Sequence, residues 1–282
     1  MFQRVTRLAA VLTAAVALGA YGLSATPAGA ATRPVSNAAA SKAAAMAALR
    51  GIYAADPHGN DVHGSSDDQS TNWSGYADTG KNFNKVTSSW TEPAISCTSN
   101  ELQLAAFWVG IDGFGSDTVE QDGTLAECYL GTAYYYTWWE MYPQVDIEVV
   151  GETVKPGDHI AASAVHSSGG KYTLKVTDST TSGNNLTRVE SCDGTCADTS
   201  DEVIGEAPSG ERGEFPLPDF KTWTPGSIVF ATTSKTGDVS SFSPSYAITM
   251  VGDAGYALAT PSGLTSGKKF TDTWDDSYGP RR

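Results

Sequence analysis

From about Thr71 onward the chain repeats one pattern, short runs rich in β-branched and aromatic residues separated by Gly, Pro, Ser, Asp and Asn. The runs include "KVTSSWT", "LQLAAFWVGID", "AYYYTWWEMY", "VDIEVV", "HIAASAVH", "KYTLKVT", "GSIVFATT", "SYAITMV" and "KFTDTW". No stretch of helical period competes with them in this region. Strands of this kind stabilise one another only by pairing into sheets and burying one face of each sheet against another. The expectation is one all-β sandwich, with no internal repeat and no second domain in its roughly 210 residues.

Strand alternation assigns faces. In "TAYYYTWWEMYP", Tyr134, Tyr136, Trp138, Glu140 and Tyr142 share one face, and Ala133, Tyr135, Thr137, Trp139 and Met141 the other. The Met and Trp face is the natural core side, because a carboxylate among aromatics is costly in a dry core. In "FWVGIDG" the same parity aligns Trp108, Gly110 and Asp112. In "DEVIGEAP" it puts Glu202, Ile204 and Glu206 on one face, and the Gly and Pro favour strand over helix. A concave face of Trp, Tyr and carboxylates suits a polymer-binding groove, and an amphipathic outer face is the plainer alternative.

The N-terminal part reads differently. Arg4 and Arg7 precede an apolar run that ends in Ala28-Gly29-Ala30, the pattern of a secretory signal peptide over 1–30. Residues 31–70 are first Ala-rich and helix-prone, then polar and turn-rich. They suit a removable pro-segment or a plain linker, and 71–282 forms the β domain. No later apolar run reaches the roughly 20 residues a membrane-spanning helix needs, so a secreted, extracellular monomer without membrane attachment is expected.

From Thr71 on, 13 basic residues stand against 28 acidic ones, a balance of −15. With so few cations, protonation of carboxylates leaves little positive self-repulsion, which suits an acidic medium and argues against nucleic acid. The four cysteines suit export. Cys192 and Cys196 flank "DGT" and can close a small loop, which leaves Cys97 for Cys128, although four cysteines allow three connectivities. No cysteine pair has partners at zinc spacing, so no metal and no cofactor is expected.

Only His159 and His166 lie in the β region, neither in a triad context, and no nucleophile-elbow, zinc-protease or phosphate-loop motif occurs. The motifs "STNWSGY", "SSWTEP", "FWVGIDG", "VEQDGT", "WWEMYP" and "EVIGEAP", in this order, resemble those of the glutamic peptidases, the eqolisins. That resemblance runs from about Thr71 to Phe270. It implies an all-β fold, an antiparallel two-sheet β-sandwich of concanavalin A-like lectin/glucanase type, and an acid endopeptidase acting on proteins or peptides. The implied catalytic pair is Gln121 and Glu206, with Trp73, Trp108, Asp112, Trp138, Glu140 and Tyr142 at substrate-binding positions near the cleft. Asp122, Leu125, Tyr136, Val203 and Gly205 depart from residues common at their motif positions. A carboxylate of ordinary pKa near about 4.3 is partly ionised in mild acid and can take a proton from water, while an amide donates to an oxyanion at any pH. The rival expectation is a carbohydrate-binding or glycoside-hydrolysing sandwich using Glu206 with Glu140, in which Gln121 would have no role.

Overall fold

The structure, a computed structural model, describes residues 37–49, 67–150, 154–181, 183, 185–194, 196–252 and 255–275. The expected signal peptide and the polar run before Asp67 lie outside these residues. An α-helix, α1 (Asn37–Ala48), precedes the strands β1 (Asp67–Ser70), β2 (Trp73–Thr79), β3 (Phe83–Thr91), β4 (Gln103–Ile111), β5 (Val119–Tyr129) and β6 (Thr132–Tyr142). Then follow β7 (Val145–Val150), β8 (His159–Ser167), β9 (Lys171–Asp178), β10 (Leu186–Ser191) and β11 (Ser200–Glu206). Strands after β11 are identified by their residues.

Two main sheets form. The larger runs β7–β6–β5–β4–β11–β2 and continues through Ser245–Val251, Ala257–Pro261, Asp272–Trp274 and Thr222–Trp223. The smaller runs β10–β9–β8–β3 and ends in Gly226–Thr232 and Thr236–Gly237. Pairing is antiparallel throughout both, except that β1 joins Ser245–Val251 in parallel.

The two sheets bury their faces differently. In β9, Tyr172, Leu174 and Val176 are buried and alternate with exposed or half-buried residues, so one face of the smaller sheet meets water. By contrast β5 is buried along ten of its eleven residues and β11 along all seven. The larger sheet's inner face packs Phe107, Val109, Trp139, Met141, Val203 and Trp223 against Val86, Trp90, Ala164 and Leu174 of the smaller sheet in the sandwich core. Its outer face carries a second apolar cluster, Trp73, Ala106, Trp108, Leu125, Tyr136, Trp138 and Ile204. Something other than the smaller sheet therefore covers the outer face, and part of that cover is α1. Leu49, just past its end, is buried in this second cluster and Met46 packs against it.

Polar ties cross the core. Asp122 Oδ2 accepts from the Lys175 N–H of β9 at 2.9 Å, and Asp201 Oδ2 from the Ala231 N–H at 3.1 Å. Cys97 bonds Cys128, stapling the loop after β3 to the end of β5, and Cys192 bonds Cys196. Closing the 31-residue separation between Cys97 and Cys128 contributes on the order of 3–4 kcal/mol in the chain-entropy account.

Candidate active site

Glu206 ends β11, opposite Trp73 of β2 on one side and Ala106 of β4 on the other. Its side chain is buried. Oε2 accepts a hydrogen bond from Trp108 Nε1 at 2.6 Å, and Oε1 one from Asn72 Nδ2 at 3.4 Å. Ser70 Oγ accepts from the Trp73 N–H at 3.1 Å and donates to Asn72 Oδ1 at 3.0 Å, holding the entry to β2. A carboxylate taking two neutral donors rather than a cation keeps its lone pairs oriented without a fixed ion pair in these contacts.

Gln121 lies on the same outer face, in β5, opposite Gly110 of β4 and Glu140 of β6. It is fully buried, and its Nε2 donates to Glu140 Oε2 at 2.5 Å. Its Oε1 has no hydrogen-bond partner. Because β4 pairs Ala106 with Glu206 and Gly110 with Gln121, β4 lies between the two candidate catalytic residues, which are offset by four residues along it. On a flat sheet that offset separates their Cα atoms by roughly 16 Å. Trp108 bridges the interval, its Nε1 on Glu206 and its benzo edge over Gly110. A Cβ built on Gly110 would lie 2.8 Å from Trp108 Cζ3 and 3.2 Å from Gln121 Cβ, so only glycine lets ring and amide approach there.

The remaining residues expected at the site divide. Trp73 packs edge-on against Trp108 with ring centroids 5.0 Å apart, and Trp138 is fully buried in the same cluster. The Nε1 atoms of Trp73 and Trp138 are buried without hydrogen-bond partners. Tyr142 closes β6 opposite Val119 and is half-buried. Tyr136, on the same face, donates its hydroxyl to Glu127 Oε2 at 2.9 Å, and burial raises Glu127 to about 7.

Asp112 is placed differently from its expected position on the groove face. Its backbone takes φ 68°, which breaks the alternation just past the end of β4. The carboxylate instead accepts from the backbone N–H groups of Ala197, Asp198 and Thr199 at 2.7–2.8 Å and from the Thr199 hydroxyl at 3.0 Å. It therefore organises the loop leading into β11 rather than joining the outer-face cluster of Trp73, Trp108 and Trp138. Glu202 is fully buried beside Ser200 and the Phe114 backbone, and burial holds its carboxyl well above the usual range.

Asn72 was not singled out by the sequence reading, although it stands inside a quoted motif immediately before Trp73. Gly110 likewise gave no signal of its own beyond "WVGID". Leu49 and Met46 lie far from every motif, and only the fold shows them on this face.

A two-sheet sandwich with a Glu- and Gln-bearing aromatic cluster on one outer face is the framework of a glutamic-type endopeptidase. The peptidase A4 family model matches residues 71–274, and the chain belongs to that family. Over 232 residues it is 27% identical to aspergillopepsin-2 of Aspergillus niger, covering 74% of this chain and 79% of that protein. Over 108 residues it is 33% identical to scytalidopepsin B of Scytalidium lignicola, covering 37% and 40%. The fold is similar to that of scytalido-glutamic peptidase solved with a peptide-based transition-state analogue, with TM-score 0.62, 20% identity, and coverage of 73% of this chain and 98% of that one. It is also similar to aspergilloglutamic peptidase from Aspergillus niger, with TM-score 0.52, 23% identity, and coverage of 61% and 99%. The match begins at residue 71, so α1 lies outside it.

Proposed function

We propose that the protein is a secreted acid endopeptidase in which Glu206 activates water and Gln121 stabilises the oxyanion. The observation that carries this reading is the placement of Glu206 and Gln121 on one buried aromatic face, on either side of Trp108. In the reaction Glu206, as carboxylate, takes a proton from the attacking water and returns it to the leaving amine. The carbonyl carbon becomes tetrahedral, and its oxygen, now negative, needs a donor already in place. A glutamine amide carries two N–H bonds. Glu140 holds one of Gln121's, which fixes the direction of the other, so Glu140 acts as a positioning residue. The unpartnered indole N–H groups of Trp73 and Trp138 are suited to the carbonyls of an extended peptide.

Purified, acid-treated protein should digest a denatured protein substrate in acid, and an inhibitor built for two-aspartate sites should bind poorly because this site offers one acid and one amide. Digestion confined to glycans, or strong inhibition by such a compound, would overturn the reading.

The segment before Thr71 belongs to the same proposal. Helix α1 is outside the family match, yet Leu49 and Met46 rest in the cluster that contains Trp73, Trp108 and Trp138. It occupies apolar surface that a substrate would need, which makes the α1-bearing part of 31–70 an inhibitory pro-segment to be removed by cleavage ahead of β1, whose residues pair in the larger sheet. Burying one such apolar side chain is worth about 1.5–3 kcal/mol, so a Met46→Asp, Leu49→Asp double variant should raise the activity of the uncut chain by about 100-fold. The check is activity of precursor whose integrity is confirmed by mass. A parental precursor as active as its cleaved form would remove this part of the proposal.

A further inference from the structure

The outer face of the smaller sheet gathers exposed cations on a chain that is acidic overall. In β9, buried Tyr172, Leu174 and Val176 point to the core, so Lys171, Thr173 and Lys175 point the other way. Pairing sets their neighbours. Lys85 of β3 stands opposite Val165 of β8, whose row continues through Thr173 of β9 to Val189 of β10. Lys175 lies in the row of Thr87, Ser163 and Thr187, and Lys171 in that of Ser167 and Ser191. Because Thr173 is midway between the two lysines of β9, the three lysine Cα positions form a triangle with sides of roughly 12–13 Å.

No carboxylate on this face balances them. The acids of β3, β8, β9 and β10 are Asp178 and Glu190, and both take the interior parity, Asp178 opposite Ile160 and Glu190 opposite Tyr172. The exposed Asp117, Asp146, Glu148, Asp193, Glu211 and Glu214 lie on β7 or in segments outside the smaller sheet. Among the described residues, the ion pairs involve His166 and Lys221 and none of these three lysines. The surrounding positions are rich in hydroxyls, Thr87, Ser163, Ser167, Thr173, Thr187 and Ser191, all exposed or half-buried. The apolar members of these four strands on this face are short, Ala161, Val165 and Val189, and none is Phe, Tyr or Trp. His159, exposed at one end of the face, meets the Thr91 hydroxyl through Nδ1 at 3.3 Å.

We propose that the outer face of the smaller sheet docks on an acidic polysaccharide, with Lys85, Lys171 and Lys175 on its anionic groups and the neighbouring hydroxyls on those of its sugars. Charge complementarity calls for an anion, and rows of Ser and Thr suit a hydroxyl-bearing polymer. Short apolar side chains give a bilayer little to bury, and the lack of large aromatics leaves nucleic-acid bases no stacking surface. Glu206 and Gln121 stand on the other outer face of the sandwich, across the core. A polymer held by the lysines therefore leaves the aromatic cluster free, and the negative charge elsewhere confines contact to this side. Docking uses no residue of the proposed catalytic site, so it is measured without reference to turnover.

The test measures binding of the purified chain to polygalacturonate at pH about 5 in low and high salt. Fully methyl-esterified polygalacturonate, phosphatidylglycerol vesicles and duplex DNA are measured beside it, the charged probes at equal concentrations of anionic groups. Polygalacturonate should bind at least about tenfold more tightly than its uncharged ester, and high salt should remove the difference. A Lys85→Gln, Lys171→Gln, Lys175→Gln variant, folded by circular dichroism, should lose about tenfold in affinity, from three exposed charge contacts worth roughly twofold each. An Arg212→Gln, Lys221→Gln variant, which removes exposed cations away from this sheet, should bind as the parent does. No binding to polygalacturonate, equal binding to its ester, or parental affinity in the triple variant would overturn the proposal. Tighter binding to the vesicles or to DNA than to polygalacturonate would overturn it as well.

Discussion

Glu206→Gln should fold as the parent does, bind a peptide in the aromatic groove, and lose turnover nearly to background. The substitution keeps size and leaves an oxygen to accept from Trp108 Nε1, which now donates at 2.6 Å, but it removes the group that accepts the proton of water. General base catalysis typically contributes about 100- to 10,000-fold, and here the same group must also protonate the leaving amine. Gln121→Ala should cost about 100- to 1000-fold through loss of the oxyanion donor. Gln121→Glu separates the roles more sharply. The new carboxyl would stand against Glu140, which now accepts from Gln121 at 2.5 Å, and two carboxyls so close share a proton. Its protonated form can donate to the oxyanion and its ionised form repels it, so residual activity should shift to lower pH. Glu202→Gln replaces a buried carboxyl held neutral in acid by a neutral amide, and should leave the maximal rate near that of the parent. Circular dichroism and peptide-binding calorimetry on each variant separate loss of chemistry from loss of fold. If folded Glu206→Gln turns over normally while Glu202→Gln does not, the catalytic glutamate of "DEVIGEAP" is the other one.

Where local alternation governs, the sequence is a good guide. The two faces of "AYYYTWWEMY" and of "EVIGE" are those found in β6 and β11, because a buried strand in a fixed register cannot exchange its faces. Alternation misplaces Asp112 because one residue of positive φ turns the chain, and nothing in "GIDG" distinguishes that from continued strand. Strand β5 was legible only as a motif. "VEQDGT" has the composition of a turn, yet all of it is paired strand. Its polar groups are tolerated because partners come from elsewhere, Glu140 for Gln121 and the Lys175 N–H for Asp122. At Gly123 a Cβ would lie 2.0 Å from the Phe107 carbonyl oxygen, so a residue that looks like a turn marker is there for close backbone approach. The helical tendency of the Ala-rich stretch was readable, whereas its seat on the groove depends on tertiary contacts of Leu49.

The same distinction changes the meaning of the acidic composition. An excess of carboxylates reads as an acidic surface, but fourteen of the described Asp and Glu residues are buried, several of them bonding to backbone N–H groups inside the sandwich. Burial holds the carboxyls of Asp122 and Asp201 well above the usual range, against the backbone N–H bonds they accept, so both rest as neutral acids in an acid medium. An acid medium therefore favours the interior of this protein, and the proposed chemistry sets its lower limit, because Glu206 must ionise to take a proton from water.

Stability should accordingly be greatest in acid and collapse as pH rises toward neutrality. Burial is the main cause lifting Glu92 to about 8, against the hydrogen bond from Trp90 Nε1, and Asp272 to about 7, against that from Ser74. Burial likewise lifts Asp78 to about 7, with Asp238 adding to the rise and Ser245 and Lys235 opposing it. In each case the folded value lies above the unfolded one, so the unfolded chain releases its proton first. The stabilisation is complete below about pH 4, where both states are protonated, and is lost as pH climbs through 7 to 8. At about 1.4 kcal/mol per pH unit, a fully buried group such as Glu92 or Asp272 contributes a loss on the order of 4 kcal/mol across that window. Two such groups consume much of the roughly 5–15 kcal/mol by which domains are usually stable. Thermal unfolding followed by circular dichroism should show the midpoint falling steeply between pH 5 and 8. A Glu92→Gln, Asp272→Asn double variant should flatten that fall, because neither replacement titrates. It retains groups able to accept from Trp90 and Ser74, so its stability at pH 4 should stay close to the parent's. A midpoint that stays level or rises toward pH 8 would show that these carboxyls ionise inside the fold without penalty, and would overturn the account of the acidic interior.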